Sequence, residues 1–129
     1  MAKAAQPRPY EVMFYMAMKE GPAYGYQLAT RFRKMTGGYI KISYGTIYPF
    51  LRRMERTGLI RSRKDEKSGR IYYELTRRGL EADRKISTRM RECQKDFEDR
   101  LLGILYMHSE MFGRKALKDL LAHANKIRT

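Results

Sequence analysis

A one-sided apolar stripe followed at once by two β-favouring runs restricts the folds open to this chain. Its apolar side chains recur at helical intervals, at Ile47, Phe50, Leu51 and Met54. Ser43 is a favourable N-cap before the stripe and Gly58 ends it, so a helix with one buried face is predicted. The runs at 60–64 and 70–75 are joined by a charged segment containing glycine, which predicts a β-hairpin.

Two further helical patterns precede the stripe. Pro9 suits the first position of a helix that we expect to end near Lys19 and that is apolar on nearly all sides. Residues 21–22 break it, and a second helix is predicted up to the glycine pair at 37–38. The alternating residues 39–42 predict one short edge strand.

A long helix is expected after the hairpin, capped by Thr76 and interrupted by Gly113, with a short amphipathic helix at the end. Apolar steps of three and four residues give it a coiled-coil-like seam, and its continuity through Gly103 is left open. Together with the surplus apolar surface of the first helix, this seam predicts a homodimer. The predicted dimer interface comprises Val12, Met16, Ile86, Met90, Cys93, Phe97, Leu101, Ile104 and Met111.

These elements predict a mainly α fold with a small β-hairpin wing: a winged helix-turn-helix followed by a long C-terminal dimerisation helix. We expect an N-terminal arm at 1–9, a winged-helix domain at 10–75 and a helical dimerisation region at 76–129.

Charge points to a polyanionic partner. The formal net charge is +14, and residues 30–70 alone carry 12 basic and 3 acidic side chains, a local net charge of +9. A cationic field concentrated on a helix-turn-helix and a hairpin favours double-stranded DNA as the partner.

Several short motifs in a fixed order resemble the PadR-like family of transcriptional regulators. They are GPAYGYQL at 21–28, YGTIYPFL at 44–51, MERTGLI at 54–60, GRIYY at 69–73 and LTRRG at 75–79. The resemblance implies a cytoplasmic, nucleoid-associated homodimer, usually a repressor, that binds a palindromic operator through helix three and the wing. Some relatives bind planar ligands between tryptophans, which this chain lacks. A small-molecule effector of unknown identity is therefore left open.

Candidate DNA-binding residues fall into four groups. Base edges are read near the start of a recognition helix, which selects Ser43, Tyr44, Gly45, Thr46 and Tyr48. Phosphate contacts are expected from Lys41, Arg52 and Arg53, and wing contacts from Lys64, Lys67, Ser68 and Arg70. The start of helix two, where a phosphate can bind, adds Tyr24, Gly25, Tyr26 and Gln27.

Each group has a structural alternative. Ser43 and Thr46 are also common helix caps, either tyrosine of helix two could belong to the core, and the cationic side chains could form a solvated face.

Other functional classes find little support in the sequence. No catalytic constellation, cofactor motif or metal-ligand spacing is present, so we expect no enzyme, no cofactor and no metal. No apolar run is long enough to cross a membrane. Cys93 is the only cysteine, which fits a reducing cytoplasm and lacks a resolving partner for redox sensing.

Two other functions stay open beside a sequence-specific regulator. An architectural protein could coat DNA through charge alone. A winged-helix module could instead bind protein, although the cationic wing fits this poorly.

Overall fold

The computed structural model describes residues 8–126 and contains six helices and one antiparallel hairpin in that range. The elements are α1 (Pro9–Lys19), α2 (Gly25–Met35), α3 (Tyr44–Arg56), β1 (Ile60–Lys64), β2 (Ile71–Leu75), α4 (Arg77–Glu92), α5 (Gln94–Phe112) and α6 (Arg114–Lys126). The predicted fold class, a mainly α winged helix with a small β-hairpin followed by C-terminal helices, is confirmed. The arm expected at 1–9 lies almost wholly outside the described residues.

The backbone divides into two compact units, one ending at Met90 and one beginning at Arg91. We call their described parts the N-terminal unit (8–90) and the C-terminal unit (91–126). The division into functional domains at 75/76 stays a prediction, because packing units do not report which residues bind DNA.

The N-terminal unit is built around one apolar core. The stripe of α3 supplies Ile47, Leu51 and Met54, all buried, as the sequence predicts. Helices α1 and α2, the segment that joins them and the hairpin complete the core with Phe14, Tyr15, Ala17, Met18, Ala23, Leu28, Phe32, Ile60 and Tyr73. The core therefore holds α3 by one face and leaves its other face in solvent.

The hairpin forms in the predicted place, with Ile60 opposite Leu75 and Lys64 opposite Ile71. We call β1, β2 and the loop 65–70 the wing. The prediction of an edge strand at 39–42 is wrong, because those residues form neither a strand nor a bridge. Ala23 pairs with Tyr73 instead, and the Thr36 hydroxyl bonds both the N–H and the C=O of Ile40.

A tight joint connects the wing to α4. The Thr76 hydroxyl accepts from the Gly79 N–H at 3.1 Å, which confirms Thr76 as the predicted cap. Gly79 is buried, and a Cβ there would lie 2.0 Å from the Leu59 carbonyl oxygen. One turn farther along α4, the buried Asp83 carboxylate meets Lys19 Nζ of α1 at 2.9 Å. These contacts fix the first turns of α4 in the N-terminal unit.

The prediction of one long helix with a single continuous seam is wrong, because the helix is interrupted at Cys93. Cys93 has φ −97° and ψ 10°, and its carbonyl accepts from Phe97 N–H as the first bond of α5. Because Cys93 is the N-cap of a new helix, its own backbone leaves the helical region. Helix α5 then runs through Gly103 without a break, and Gly113 (φ 96°) ends it as predicted.

Candidate DNA-binding surface

The start of α3 presents the five predicted base-reading residues on the surface. Tyr44 is 49% and Tyr48 40% exposed, and Ser43, Gly45 and Thr46 are exposed too. All five lie in the first two turns, away from the buried stripe. This exposed end has the position that a recognition helix presents to the major groove.

The hydroxyls of Ser43 and Thr46 hydrogen-bond each other at 3.1 Å. Ser43 occupies the predicted N-cap position, but its side chain makes no capping bond to a helix amide. Since the shared hydrogen uses one donor of the pair, the other hydroxyl hydrogen is available to an external acceptor. The pair can therefore offer one donor and its unused lone pairs to a base edge or a phosphate.

Gly45 is not required by the packing of the chain itself. A Cβ built there would meet only Ser43 Oγ, at 3.8 Å, which is an ordinary contact. Glycine also weakens a helix relative to alanine. A glycine at this exposed position is accordingly suited to close approach by something outside the chain.

Gly25, by contrast, is required by internal packing. It is buried at the first residue of α2, and a Cβ there would lie 2.7 Å from Tyr48 Oη. Tyr48 thus rests its ring on α2 and sets the approach of α3. Of the four residues predicted at the start of α2, Tyr26 is the exposed one, whereas Tyr24 and Gln27 are half-buried.

A basic groove separates α2 from the start of α3. It has a volume of about 320 Å³ and is lined by Tyr26, Ala29, Thr30, Arg33, Lys41, Ile42, Ser43 and Tyr44. Thr30 and Arg33 were not among the predicted site residues. Their spacing from Tyr26, four and seven residues, places all three on one helix face and was the signal available in the sequence.

The wing is tied to the start of α2 by aromatic contacts. The Arg70 guanidinium lies 4.5 Å from the Tyr24 ring centroid, and the ring of Tyr24 meets Tyr72 edge-on at 5.4 Å. The Tyr24 N–H donates to Gln27 Oε1 at 3.3 Å. These contacts bring the predicted wing and α2 groups together on one surface.

The wing loop is closed by its own side chains. Asp65 Oδ2 accepts from the Ser68 hydroxyl at 2.6 Å and from the Ser68 amide at 3.2 Å. These bonds, the hydroxyl bond first, lower the pKa of Asp65 from its ordinary value of 3.8. Ser68 is thus engaged within the loop, while Lys64 and Lys67 are exposed beside it.

The cationic side chains do not all belong to this surface. Arg31 donates to the carbonyl oxygens of Ala17 at 3.0 Å and Gly21 at 2.7 Å, so it ties α2 to the end of α1. Arg52 lies beside Glu55 and Arg56, whereas Arg53 lines a different cavity, whose wall is formed mainly by α1, α3 and α4. The structure therefore separates two arginines that the sequence grouped together.

The residues predicted for the dimer interface differ in exposure. In the N-terminal unit Met16 is 45% exposed, Val12 and Met90 are half-buried, and Ile86 packs against the core. In the C-terminal unit Cys93 is half-buried, whereas Phe97, Leu101, Ile104 and Met111 are exposed. The coverage of these residues by a second copy stays a prediction.

Within residues 8–126, no helix combines the length and apolar character needed to span a membrane. No group of three or more His, Cys, Asp or Glu side chains in that range is arranged to hold a metal ion.

Comparison with known proteins identifies the family. Residues 15–85 match the family model described as the transcriptional regulator PadR-like family, which is more than half of the chain. No curated protein matches the chain significantly.

Solved structures give the same result. A PadR family regulator from Eggerthella lenta is 31% identical, with a TM-score of 0.57 over 72% of this chain and 77% of that one. A PadR family regulator from Clostridium difficile is 26% identical, with a TM-score of 0.61 over 70% and 96%. A transcriptional regulator from Clostridium thermocellum is 25% identical, with a TM-score of 0.63 over 69% and 86%. The chain belongs to the PadR-like family of DNA-binding transcriptional regulators, which are not enzymes.

Proposed function

We propose that this protein is a sequence-specific repressor that binds a palindromic double-stranded operator as a homodimer. The observation that carries the proposal is the exposed start of α3, where Gly45 has no packing role within the chain. A helix that is held by its core face and leaves its first turns bare suits the major groove. The setting for this activity would be the nucleoid in the cytoplasm.

The remaining predicted residues would position the protein on the duplex. Lys41 and the newly identified Arg33 line one groove beside α3, and Arg52 lies farther along the same helix. On the wing, Lys64, Lys67 and Arg70 would contact the phosphate backbone or a minor groove. Ser68 would act indirectly, by holding the loop through Asp65.

The homodimer is supported by the exposed apolar side chains of α5 and α6. An architectural protein that coats DNA without sequence preference is the second candidate, because a net charge of +14 supports non-specific binding in any case.

The first experiment is selection of genomic fragments by the purified protein, followed by footprinting. We expect one preferred sequence with two symmetric half-sites whose centres lie about 34–36 Å apart, or a multiple of that distance. Equal affinity for random and genomic fragments at physiological salt would favour the architectural function.

Gly45→Ala then tests the reading role of α3. The added methyl meets only Ser43 Oγ at 3.8 Å, so the fold should keep its stability. Affinity for the selected operator should fall at least about tenfold if the backbone of α3 approaches the duplex closely. Unchanged affinity would remove Gly45 from the contact surface.

Two alanine variants separate base reading from phosphate contact. Thr46→Ala should cost about 1–3 kcal/mol at one operator position and little elsewhere. Lys67→Ala should weaken all sequences alike and reduce the salt slope by about one unit. Identical behaviour of the two variants would contradict this division of roles.

A further inference from the structure

The basic groove between α2 and the start of α3 has aromatic and apolar walls as well as charge. Its volume of about 320 Å³ lies at the lower end of the range for ligand sites. Ala29 and Ile42 line the groove while packing against the core, so its floor is apolar. Two tyrosines on its wall, Tyr26 and Tyr44, are 59% and 49% exposed. The groove therefore offers ring surface to a ligand, in addition to cations.

Each of these two exposed rings is supported by another tyrosine. Tyr24 lies nearly parallel to Tyr26, with 19° between the ring planes and 6.5 Å between the centroids. Tyr48 supports Tyr44 at a centroid distance of 6.1 Å. Tyr24 is itself held by the Arg70 guanidinium, 4.5 Å from its centroid. Because these contacts restrict the exposed rings, a ligand that stacks on them loses less conformational entropy on binding.

The charged side chains that line the groove, Arg33 and Lys41, are both positive and exposed. Neither forms a salt bridge with a carboxylate among residues 8–126. The hydroxyl side chains of Thr30 and Ser43 lie on the same wall. A phosphate can therefore bind here without displacing an internal ion pair.

Exposed tyrosine faces have no counterpart in duplex DNA. In a double helix the base faces are stacked on neighbouring pairs, and the base edges alone are open in the grooves. A tyrosine ring can stack on a base only where the base face is uncovered, as in a single strand. Aromatic rings beside a cationic track are the combination that binds single-stranded nucleic acid.

We propose that the basic groove binds unpaired thymidine nucleotides of single-stranded DNA. The base stacks on Tyr26 or Tyr44, and the flanking phosphates meet Arg33 and Lys41. The methyl group of thymine, which uracil lacks, lies against the apolar floor. This contact favours single-stranded DNA over RNA.

The groove shares Lys41, Ser43 and Tyr44 with the surface proposed for the operator. A single strand in the groove therefore competes with the operator for the same protein. This competition rests on the proposed function, whereas single-strand binding itself does not.

The test measures fluorescence anisotropy of a labelled oligothymidylate of about 12 nucleotides with the full chain, within the usual site sizes for single strands. An abasic strand of equal length, with the same phosphates and no bases, is the reference. We expect oligothymidylate to bind at least about tenfold tighter than the abasic strand, because stacking adds to the phosphate contacts. It should also bind at least about threefold tighter than oligouridylate RNA, through burial of the methyl group.

Two variants separate stacking from charge. Tyr26→Leu should reduce the preference for oligothymidylate over the abasic strand at least about fivefold and leave the salt dependence unchanged. Arg33→Gln should keep the preference and reduce the slope of log affinity against log salt by about 0.7. Tyr26→Phe should bind as the wild type does, because the ring is kept. Tyr106→Leu, at an exposed tyrosine outside the groove, is the matched control and should change nothing.

Equal binding of oligothymidylate and the abasic strand would overturn the proposal. Equal behaviour of Tyr26→Leu and Tyr106→Leu would overturn it too. Oligouridylate RNA bound as tightly as oligothymidylate, or tighter, would overturn the assignment to DNA.

Competition is measured separately, as displacement of a labelled operator by unlabelled oligothymidylate. We expect displacement from the wild type, and at least about fivefold weaker displacement from Tyr26→Leu. A protein that binds oligothymidylate but no duplex would contradict the proposed function and leave the single-strand site standing. Operator binding without a preference for oligothymidylate over the abasic strand would overturn the single-strand site alone.

Discussion

The two compact units use their apolar side chains in opposite ways. In the N-terminal unit 12 hydrophobic residues are buried and form one core. In the C-terminal unit none of residues 91–126 is buried, and α5 and α6 expose a large set of apolar side chains. The most exposed of these include Tyr106 at 73%, Met111 at 67% and Phe112 at 62%.

The N-terminal unit thus buries its apolar side chains within itself, whereas the described part of the C-terminal unit leaves its apolar side chains exposed. Short helices gain most of their stability from tertiary packing, and an extensive exposed apolar surface marks an interaction site. The N-terminal unit should therefore respond to substitutions in its interior, whereas the C-terminal unit should respond to changes on its surface.

The largest effect on the free energy of unfolding is expected for a glycine-to-alanine substitution in the N-terminal unit. Gly79→Ala places a Cβ 2.0 Å from the backbone oxygen of Leu59, which cannot move without shifting the joint between the wing and α4. We expect a loss of about 3 kcal/mol or more in the free energy of unfolding, measured with urea.

Gly103→Ala is the matched control, because this helical glycine has nothing within 4 Å of a built Cβ. Its stability should rise by about 0.5–1 kcal/mol through better helix propensity. A marked loss would mean that another surface covers this position in solution.

The second effect concerns association. Leu101→Glu puts a charge on the exposed apolar surface of α5, and we expect dimer association to weaken at least about a hundredfold, from the cost of burying an unpaired charge. Sedimentation velocity at micromolar concentration measures this change. Lys115→Glu, on the polar side of α6, should leave association unchanged. A wild-type protein that sediments as a monomer would remove the explanation offered for the exposed surface.

A third comparison uses the same substitution in both units. Lys19→Met removes the cation that pairs with the buried Asp83 carboxylate, which then keeps the Ser87 hydroxyl, at 3.2 Å, as its hydrogen-bond donor among the described residues. Since Lys19 is itself partly exposed, we expect a loss of about 1–2 kcal/mol in unfolding free energy. Lys95→Met removes an exposed pair with Asp99 and should leave the stability unchanged within error. Equal effects would argue against the buried pair as a link between α1 and α4.

The smallest effects are local and depend on pH in opposite directions. The pKa of Asp65 is lowered by its Ser68 bonds, so the closure of the wing loop is fully present above the ordinary pKa of 3.8 and is lost as the pH falls through the lowered value. The pKa of Lys95 is raised by its hydrogen bond to Asp99, so that pair persists below 10.5 and is lost at higher pH.

NMR titration of the Ser68 amide and of the Asp99 carboxylate would follow the two transitions. In Asp65→Asn the acid transition at Ser68 should vanish while the alkaline transition at Asp99 remains. An Asp65 carboxyl that titrated at or above 3.8 would contradict the loop closure.

Local patterns predicted most elements because each depends on neighbouring residues. The helical stripe of α3, the hairpin and the Thr76 cap follow from spacing and turn chemistry within a few positions. The strand predicted at 39–42 failed because alternation cannot reveal that Ala23, distant in sequence, pairs with Tyr73. The prediction of one continuous helix failed for another reason, because no glycine or proline in the sequence marks the break at Cys93.

The sequence predicted the start of α3 as part of the candidate DNA surface, but it missed residues of α2 that line the adjoining groove. The exposed start of α3 follows from the buried stripe on its other face. Arg33 was missed because it belongs to the groove only once α2 lies beside the start of α3. Arg31 looked equivalent in sequence, yet it binds the carbonyl oxygens of Ala17 and Gly21.

The sequence by itself determined the order of the helices and the hairpin, the concentration of positive charge on them and the family of the chain. These properties are local or additive, so periodicity, turn residues and composition suffice to read them. Only the tertiary structure decided that Tyr48 rests on Gly25, that Arg53 separates from Arg52, and that Arg89 Nε is buried without a hydrogen-bond partner among residues 8–126. Such contacts join residues far apart in the chain, and they depend on how the helices pack rather than on the pattern within any one of them.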